Sequence, residues 1–424
     1  MSMSENNAAE FEIADNRNHQ SMATGISKKR LNYFFTSLLI ISFPINYDVF
    51  IGIRFVELFF LILISINISK IRLRANVVTI VFCLFLLSGL LSYQIGILTS
   101  SILNTHNYVF ILKYSFPIAL WLVLRACDFD LKTSVRLMKV LYFSIVLLIF
   151  YFIVHYYSSR NGFGGFFSKR ISFPLTNFTR AGLPYDSHMV SAFLAFAALC
   201  FYSVKFYAKK YNLIQPLFFM LVAILCLIAS GGRAGLVALC AGVAFSIIIN
   251  KRLHLGFVVF FLSSIVLVGS LFAIYSGDFE IDSSISRTFF FDFTGADDSL
   301  RARFTKFGEV LKISVFSDAP FFSRGLTALR FSWSDSIIFN VLGFSGLLGI
   351  TLFFLFFTNL YWRILCTVKF DTNKAIILLV PLSTYLISNL ATEFMLVTRS
   401  VVPVLLWCFL WLNIFEKSDK SLFK

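Results

Sequence analysis

Three short segments hold polar residues in an order that could bind an anion: Arg180-Ala-Gly-Leu-Pro-Tyr-Asp-Ser-His188, Ser230-Gly-Gly-Arg-Ala-Gly235 and Trp333-Ser-Asp-Ser336. Each stands just before a long apolar run, where a helix would begin. A helix start offers unpaired N–H groups and the positive end of the dipole. An arginine beside it adds a planar fork that grips phosphate oxygens in pairs and stays charged. The chemistry such residues could do is to hold a phosphate or pyrophosphate. Plainer roles exist. Asp186 or Ser187 could cap one helix and Asp335 another, and Gly231, Gly232 and Gly235 could serve a turn or close packing. Arg233 is harder to explain that way, because it has no acidic neighbour in sequence at the edge of an apolar run.

The elements that must position these residues follow from composition. The chain has 424 residues, of which 58% are hydrophobic and 14% charged, with 37 Lys+Arg against 22 Asp+Glu. Soluble domains carry about 25% charge, so an ordinary soluble enzyme is excluded. The basic residues lie between apolar runs and form no continuous face, which argues against nucleic acid as a partner. The class left is an all-α polytopic membrane protein, whose helices satisfy their own backbone in lipid.

Twelve spans are expected, over 31–48, 50–69, 76–94, 107–125, 137–157, 187–204, 213–230, 233–250, 254–275, 336–359, 374–393 and 400–415. Basic clusters alternate between them: Lys28 to Arg30, Lys70 to Arg74, Arg125 to Lys139, Lys205 to Lys210, Lys251-Arg252, Arg363 to Lys374, and Lys417 to Lys424. The positive-inside rule makes these cytoplasmic, with both termini inside. Residues 1–27 read as a disordered cytoplasmic tail, and 28–424 as one transmembrane domain. Two long loops, 158–186 and 276–335, fall on the other side. The second holds Leu300, Phe304, Phe307 and Leu311 at spacings of four, three and four. This predicts an amphipathic helix near 299–316. Arg54 and Glu57 read as a neutralised pair on the second helix, and Glu393 either as a surface partner for Arg399 or as the group that holds a cavity arginine in place.

On this topology the outer side holds eleven arginines and four lysines, and the inner side eight and fourteen. Orientation alone would not select arginine outside; a phosphate or pyrophosphate at the outer leaflet would, and so would contact with lipid headgroups. The seven cysteines fall within helices or on the inner side, and neither they nor the five histidines show metal-ligand spacing. No metal or other cofactor is expected.

The arginine before the middle helix, the S-G-G-R-A-G-L run, and the later segments Ser299 to Phe307, Asp318-Ala-Pro-Phe-Phe-Ser-Arg-Gly325 and Asp335 to Gly349 together resemble the O-antigen polymerase and ligase superfamily. The likeness covers roughly residues 160–350. It implies a GT-C-like glycosyltransferase architecture whose two outer loops cover a periplasm-facing cavity in the bacterial inner membrane. It also implies a reaction that joins undecaprenyl-pyrophosphate-linked glycans. Arg180, Arg303 and Asp335 then fall at catalytic positions, with Phe307 in the family's aromatic position. Arg233, Arg170, Arg301, Arg324 and His188 become candidates for binding pyrophosphate or glycan. Membrane lipid and a chain-length regulator protein are the further partners implied. Ligases of the superfamily carry a histidine where this chain has Asp335, which favours a polymerase; Ser-Arg-Gly325 departs from the usual Gly-x-Gly turn. A ligase remains open, as does a transporter or flippase, although no internal repeat is visible and the polar residues cluster at helix ends.

Overall fold

The computed structural model describes residues 28–43, 48–50, 53–73, 76–100, 106–160, 187–207, 214–229, 233–249, 298–316, 320–323, 336–369, 371–390 and 398–421. Among them are twelve helices: α1 (28–42), α2 (Phe55–Leu73), α3 (Val77–Ser100), α4 (His106–Cys127), α5 (Leu131–Arg160), α6 (Ser187–Tyr207), α7 (Ile214–Ala229), α8 (Arg233–Ile249), α9 (Asp298–Ser314), α10 (Ile337–Val368), α11 (Thr372–Leu390) and α12 (Thr398–Ser421). Eleven match expected spans, and α9 is the expected amphipathic helix. The span expected at 254–275 lies outside the described residues, as do residues 1–27 and most of the loop 158–186.

One expectation is corrected. The first helix stops at residue 42, and a short hairpin pairs β1 (Asp48–Phe50) with β2 (Ile53–Arg54) before α2 begins. Hydropathy alone does not separate an apolar strand from an apolar helix, and Val49, Ile51 and Ile53 are the β-branched types that suit a strand. Arg54 therefore sits in β2 and not on the second helix, so it is no helical neighbour of Glu57.

Stretches within α3, α5, α10 and α12 are long and apolar enough to cross a membrane, and α4, α6, α7 and α8 carry shorter apolar stretches. This is a membrane-embedded helical protein. At the centre α6 packs on α7, α8 and α11, while α3 and α4 flank α10 and α12. Residues 192–202 of α6 are all buried, which is why that helix is apolar on every face.

Polar contacts tie one end of the bundle together. Asn32 of α1 and Asn67 of α2 exchange amide hydrogen bonds of 2.9 and 3.2 Å, and both reach Cys127 at the end of α4. Asn413 of α12 donates to the Phe129 carbonyl at 2.8 Å and to Ser134 Oγ at 2.6 Å. Lys417 donates to the same carbonyl and lies 3.7 Å from Asp128. Glu416 takes a two-pronged contact from Arg363 near the end of α10, at 2.9 and 3.2 Å. Lys374, at the start of α11, lies over the Phe415 ring. The basic clusters near Lys28, Lys70, Arg125, Arg363 and Lys417 thus share one end, as the alternating pattern requires.

The opposite end follows from direction. Starting at Lys374, α11 passes Trp407, whose indole donates to the Ile377 carbonyl at 2.8 Å, then brings Tyr385 against Phe196. α6 therefore runs antiparallel to α11 and begins at the far end. Gly242 of α8 fits against Leu199 and Thr384, and Gly235 against the Ser191 backbone, so α8 runs parallel to α6. α10 ends at the basic end and so begins at the far one. α8 finishes at the basic end, and α9 stands at the far end beside α10.

Candidate functional site

The starts of α6, α8 and α10 all stand at the far end, and α9 packs against α10. These are the three helix starts that the polar motifs precede. Gly235 explains how two of them meet. A Cβ there would collide with the Ser191 carbonyl, so glycine lets α8 approach α6 backbone to backbone. Its plainer reading, close packing, is the observed one. Arg233 stands two residues before this contact on α8, and His188 three residues before it on α6.

α9 docks through an aromatic stack: Phe307 lies 4.0 Å from Phe339 with the rings 9° apart. Val310 and Ser314 continue the buried face, and Ser314 Oγ donates to the Val310 carbonyl at 2.6 Å. The packed face is thus centred on Phe307, Val310 and Ser314, to one side of the expected Leu300–Phe304–Phe307–Leu311 stripe. An apolar residue on an interfacial helix has two destinations, its neighbour helix or lipid, and the sequence stripe sums both. Helical register now separates two arginines. Arg303 occupies the position one turn before Phe307 on the packed face. Arg301 shares the opposite face with Thr305, Gly308 and Lys312; Thr305 and Lys312 are exposed, and Gly308 has open space beside it.

α10 is broken. Gly346 has φ +67°, ψ −165°, so Leu347 and Leu348 cannot donate to the carbonyls four residues back. They donate instead to Pro320 at 3.1 Å and Phe321 at 3.0 Å, in the connector that follows α9. The Gly343 carbonyl, which Leu347 would have served, accepts from Ser323 Oγ at 3.0 Å. Ser323 is fully buried and itself has φ +59°. A Cβ on Gly346 would lie 2.5 Å from the Phe321 carbonyl oxygen, so both conformation and contact require glycine. The break lies deep. The 32 residues of α10 measure about 48 Å at ~1.5 Å per residue, against a hydrocarbon layer of about 30 Å. Exposed Trp362 is a boundary type of residue at the basic end. Roughly 20 residues before it fall near Leu342, which sets Gly346 about one turn inside the far boundary. Irregular backbone at that depth needs protein partners for its polar groups, and the connector supplies them.

Side-chain caps close three of the described helix starts. Asn76 caps α3 by accepting from the Thr79 amide at 3.1 Å, Asp130 caps α5 by accepting from the Thr133 amide at 2.7 Å, and Asp371 caps α11 by accepting from the Asn373 amide at 3.0 Å. All three helices start at the basic end. At the far end, α10 begins at Ser336, which makes no side-chain cap bond. Asp335 is thus not the N-cap; it is the residue before it. At Asp130 the two hydrogen bonds from Thr133 hold the carboxyl below its ordinary value, and Lys417 and Lys29 add to the effect against partial desolvation.

Of the expected site residues, Arg170, Arg180, Arg324 and Asp335 lie outside the described residues, as does Glu393. The backbones of His188, Arg233, Arg301 and Arg303 lie in α6, α8 and α9, and their side chains lie outside what the structure describes. Sequence reasoning gave no role to Ser323 or Gly346. The available signal was a Pro-led turn upstream of a glycine inside an apolar run. All seven cysteines sit in helices as free thiols. No protein-family model matches the chain, and no curated protein matches it.

Proposed function

We propose that this protein is a surface-polysaccharide polymerase that joins undecaprenyl-pyrophosphate-linked oligosaccharide repeat units by glycosyl transfer at the far end of the bundle. The observation that carries this reading is the gathering of three helix starts and α9 at one end, opposite the lysine-rich end. The arginine-bearing motifs immediately precede those helix starts in sequence. A hydroxyl oxygen of one repeat unit attacks the anomeric carbon of another. The bond from that carbon to pyrophosphate breaks, and its electron pair leaves with the pyrophosphate oxygen. Charge therefore grows on the leaving group, and fixed cations stabilise it more in the transition state than before it. Arg180, Arg233 and Arg303 take that role, with Arg170, Arg301, Arg324 and His188 binding the remaining phosphate or glycan. Asp335 orients the acceptor hydroxyl and receives its proton. The GT-C-like architecture, inner-membrane location and periplasm-facing site are parts of this proposal.

The test is the polysaccharide profile of a deletion strain complemented with the wild type, Arg303→Ala or Asp335→Ala. Loss of the polymerase leaves lipid A core bearing one repeat unit, restored to long chains by the wild type and by neither variant at equal protein level. Core with no repeat unit would point to a ligase, and unaltered long chains in the deletion strain would sink both.

A further inference from the structure

The described part of the connector from α9 to α10 pairs its polar groups with protein and turns two phenylalanines outward. At its start the amides of Val315 and Phe316 both donate to the Leu311 carbonyl, at 2.9 and 3.1 Å, which closes the last turn of α9. Pro320 brings no amide hydrogen. Its carbonyl and that of Phe321 accept from Leu347 and Leu348, and Ser323 Oγ donates to the Gly343 carbonyl. Among these paired groups, Phe316 is 77% exposed and Phe321 65%. A loop in water has no need of such pairing, because water serves its backbone. A segment in lipid does need it, and its apolar side chains are free to face out.

Depth decides what meets the two rings. Leu347 and Leu348 follow the break at Gly346, about one turn inside the far boundary, and their amides hold the Pro320 and Phe321 carbonyls at that level. Both leucines lie on the face of α10 that continues as Thr351, Phe354 and Leu355, all exposed along an apolar span. Thr351 Oγ1 donates to the Leu347 carbonyl at 2.7 Å, so even this exposed hydroxyl is served by its own helix. Phe321 therefore stands beside the lipid-facing side of α10. On α9 the exposed positions Thr305, Glu309 and Lys312 lead, at spacings of four, three and four, to Phe316. The exposed face changes from polar to apolar as the chain passes from the Phe307–Phe339 stack towards the level of Leu348.

We propose that this connector is a membrane wedge: Phe316 and Phe321 stand among the acyl chains of the lipid leaflet at the far end and anchor the last turn of α9 there. The partner is the hydrocarbon of bilayer lipid. A phenylalanine ring carries no polar handle for the headgroup layer, unlike the ring of Trp or Tyr. The break at Gly346 is what makes the wedge possible, since it frees the two leucine amides that satisfy the connector backbone at that depth. The wedge needs only that α10 crosses the membrane, and holds for either orientation and without the polymerase reading.

Two measurements on the full-length protein test this. In a background with the exposed Cys83, Cys240 and Cys366 changed to alanine, Phe316→Cys, Phe321→Cys, Phe354→Cys and Thr305→Cys each carry a nitroxide. The protein is reconstituted in phosphatidylethanolamine–phosphatidylglycerol vesicles, and collision with molecular oxygen, which concentrates in hydrocarbon, is compared with collision with a nickel chelate confined to water. The labels at Phe316 and Phe321 should favour oxygen, as the lipid-facing label at Phe354 does, and the label at Thr305 should favour nickel. A preference for nickel at Phe316 or Phe321 sets that ring in water and overturns the wedge. Shielding from both reagents overturns it too, because protein would then cover the rings. Separately, p-benzoylphenylalanine, which keeps the ring, replaces Phe321 in native membranes and is irradiated. A phospholipid adduct is expected. An adduct with a second copy, another protein or a polyprenyl chain in its place overturns the assignment to bilayer lipid, and this photo-adduct decides the matter should a nitroxide variant fail to fold.

Discussion

Arg301 and Arg303 are two residues apart and about 200° apart around α9, at about 100° per residue, so alanine at each should read differently. The Arg303 position is in the register of Phe307, Val310 and Ser314; the Arg301 position is in that of Thr305 and Lys312, which are exposed. Arg303→Ala should lower turnover by about 10²–10³-fold, the loss of one charged transition-state contact. Arg301→Ala should lower it only a few-fold, as a headgroup-facing charge would. Equal losses would mean that both faces of α9 meet substrate. A second residue-scale prediction concerns stability. Asn32 and Asn67 are buried and satisfy one another reciprocally. Asn67→Ala leaves the Asn32 amide without its partner, which costs about 1–3 kcal/mol. The drop in midpoint of thermal unfolding in detergent measures it. Leucine at both positions should recover part of the loss, because no amide is then stranded.

The glycines on α8 and α9 make opposite predictions at the scale of the element. Gly308→Ala meets no atom within 4 Å and gains about 0.8–1.0 kcal/mol of helix propensity; the variant should be at least as stable as the wild type. Gly235→Ala drives a methyl into the Ser191 carbonyl and should destabilise the protein by roughly 1–3 kcal/mol, the cost of overpacking. Paired unfolding curves separate them by sign. Elements were legible in the sequence where one physical rule acts alone. Apolar runs of spanning length located eleven helices, and the spacing of apolar residues located α9. Where two rules compete, sequence was silent. Apolar residues 48–54 fit strand and helix alike. Gly346 is as compatible with a packed membrane helix as with a broken one, and only the connector decides between them. Of the candidate site, the shared end was legible in the placement of the motifs. The face of α9 was not, because lipid and α10 both attract phenylalanine.

At the scale of the molecule, the described basic clusters collect at one end. Asp130 closes the first turn of α5 beside Lys417 and Lys29. Its carboxyl is held low in the folded protein, so its stabilising share is complete above the ordinary value near 3.8 and is lost as pH falls through the lower folded value. Asp130→Ala should cost about 1 kcal/mol at neutral pH and make that part of the acid dependence vanish. Orientation is the larger question. The positive-inside rule acts on Lys and Arg flanking the spans, and contacts bring five such clusters to one end while α9 stands at the other. On the proposed orientation the two ends face different compartments. Lys132 and Glu309 are both exposed, Lys132 on the first turn of α5 at the basic end and Glu309 on α9 at the far end. Single cysteines at these positions, in the background lacking Cys83, Cys240 and Cys366, should respond oppositely to a membrane-impermeant maleimide. Glu309→Cys should label in intact spheroplasts, and Lys132→Cys only after the membrane is opened. Reversed labelling would place α9 in the cytoplasm, where the proposed lipid-linked donor would not meet it, and would remove the polymerase reading. Labelling of both in intact spheroplasts would contradict the crossing itself, because the two ends are separated by the length of helices that are apolar along most of their course.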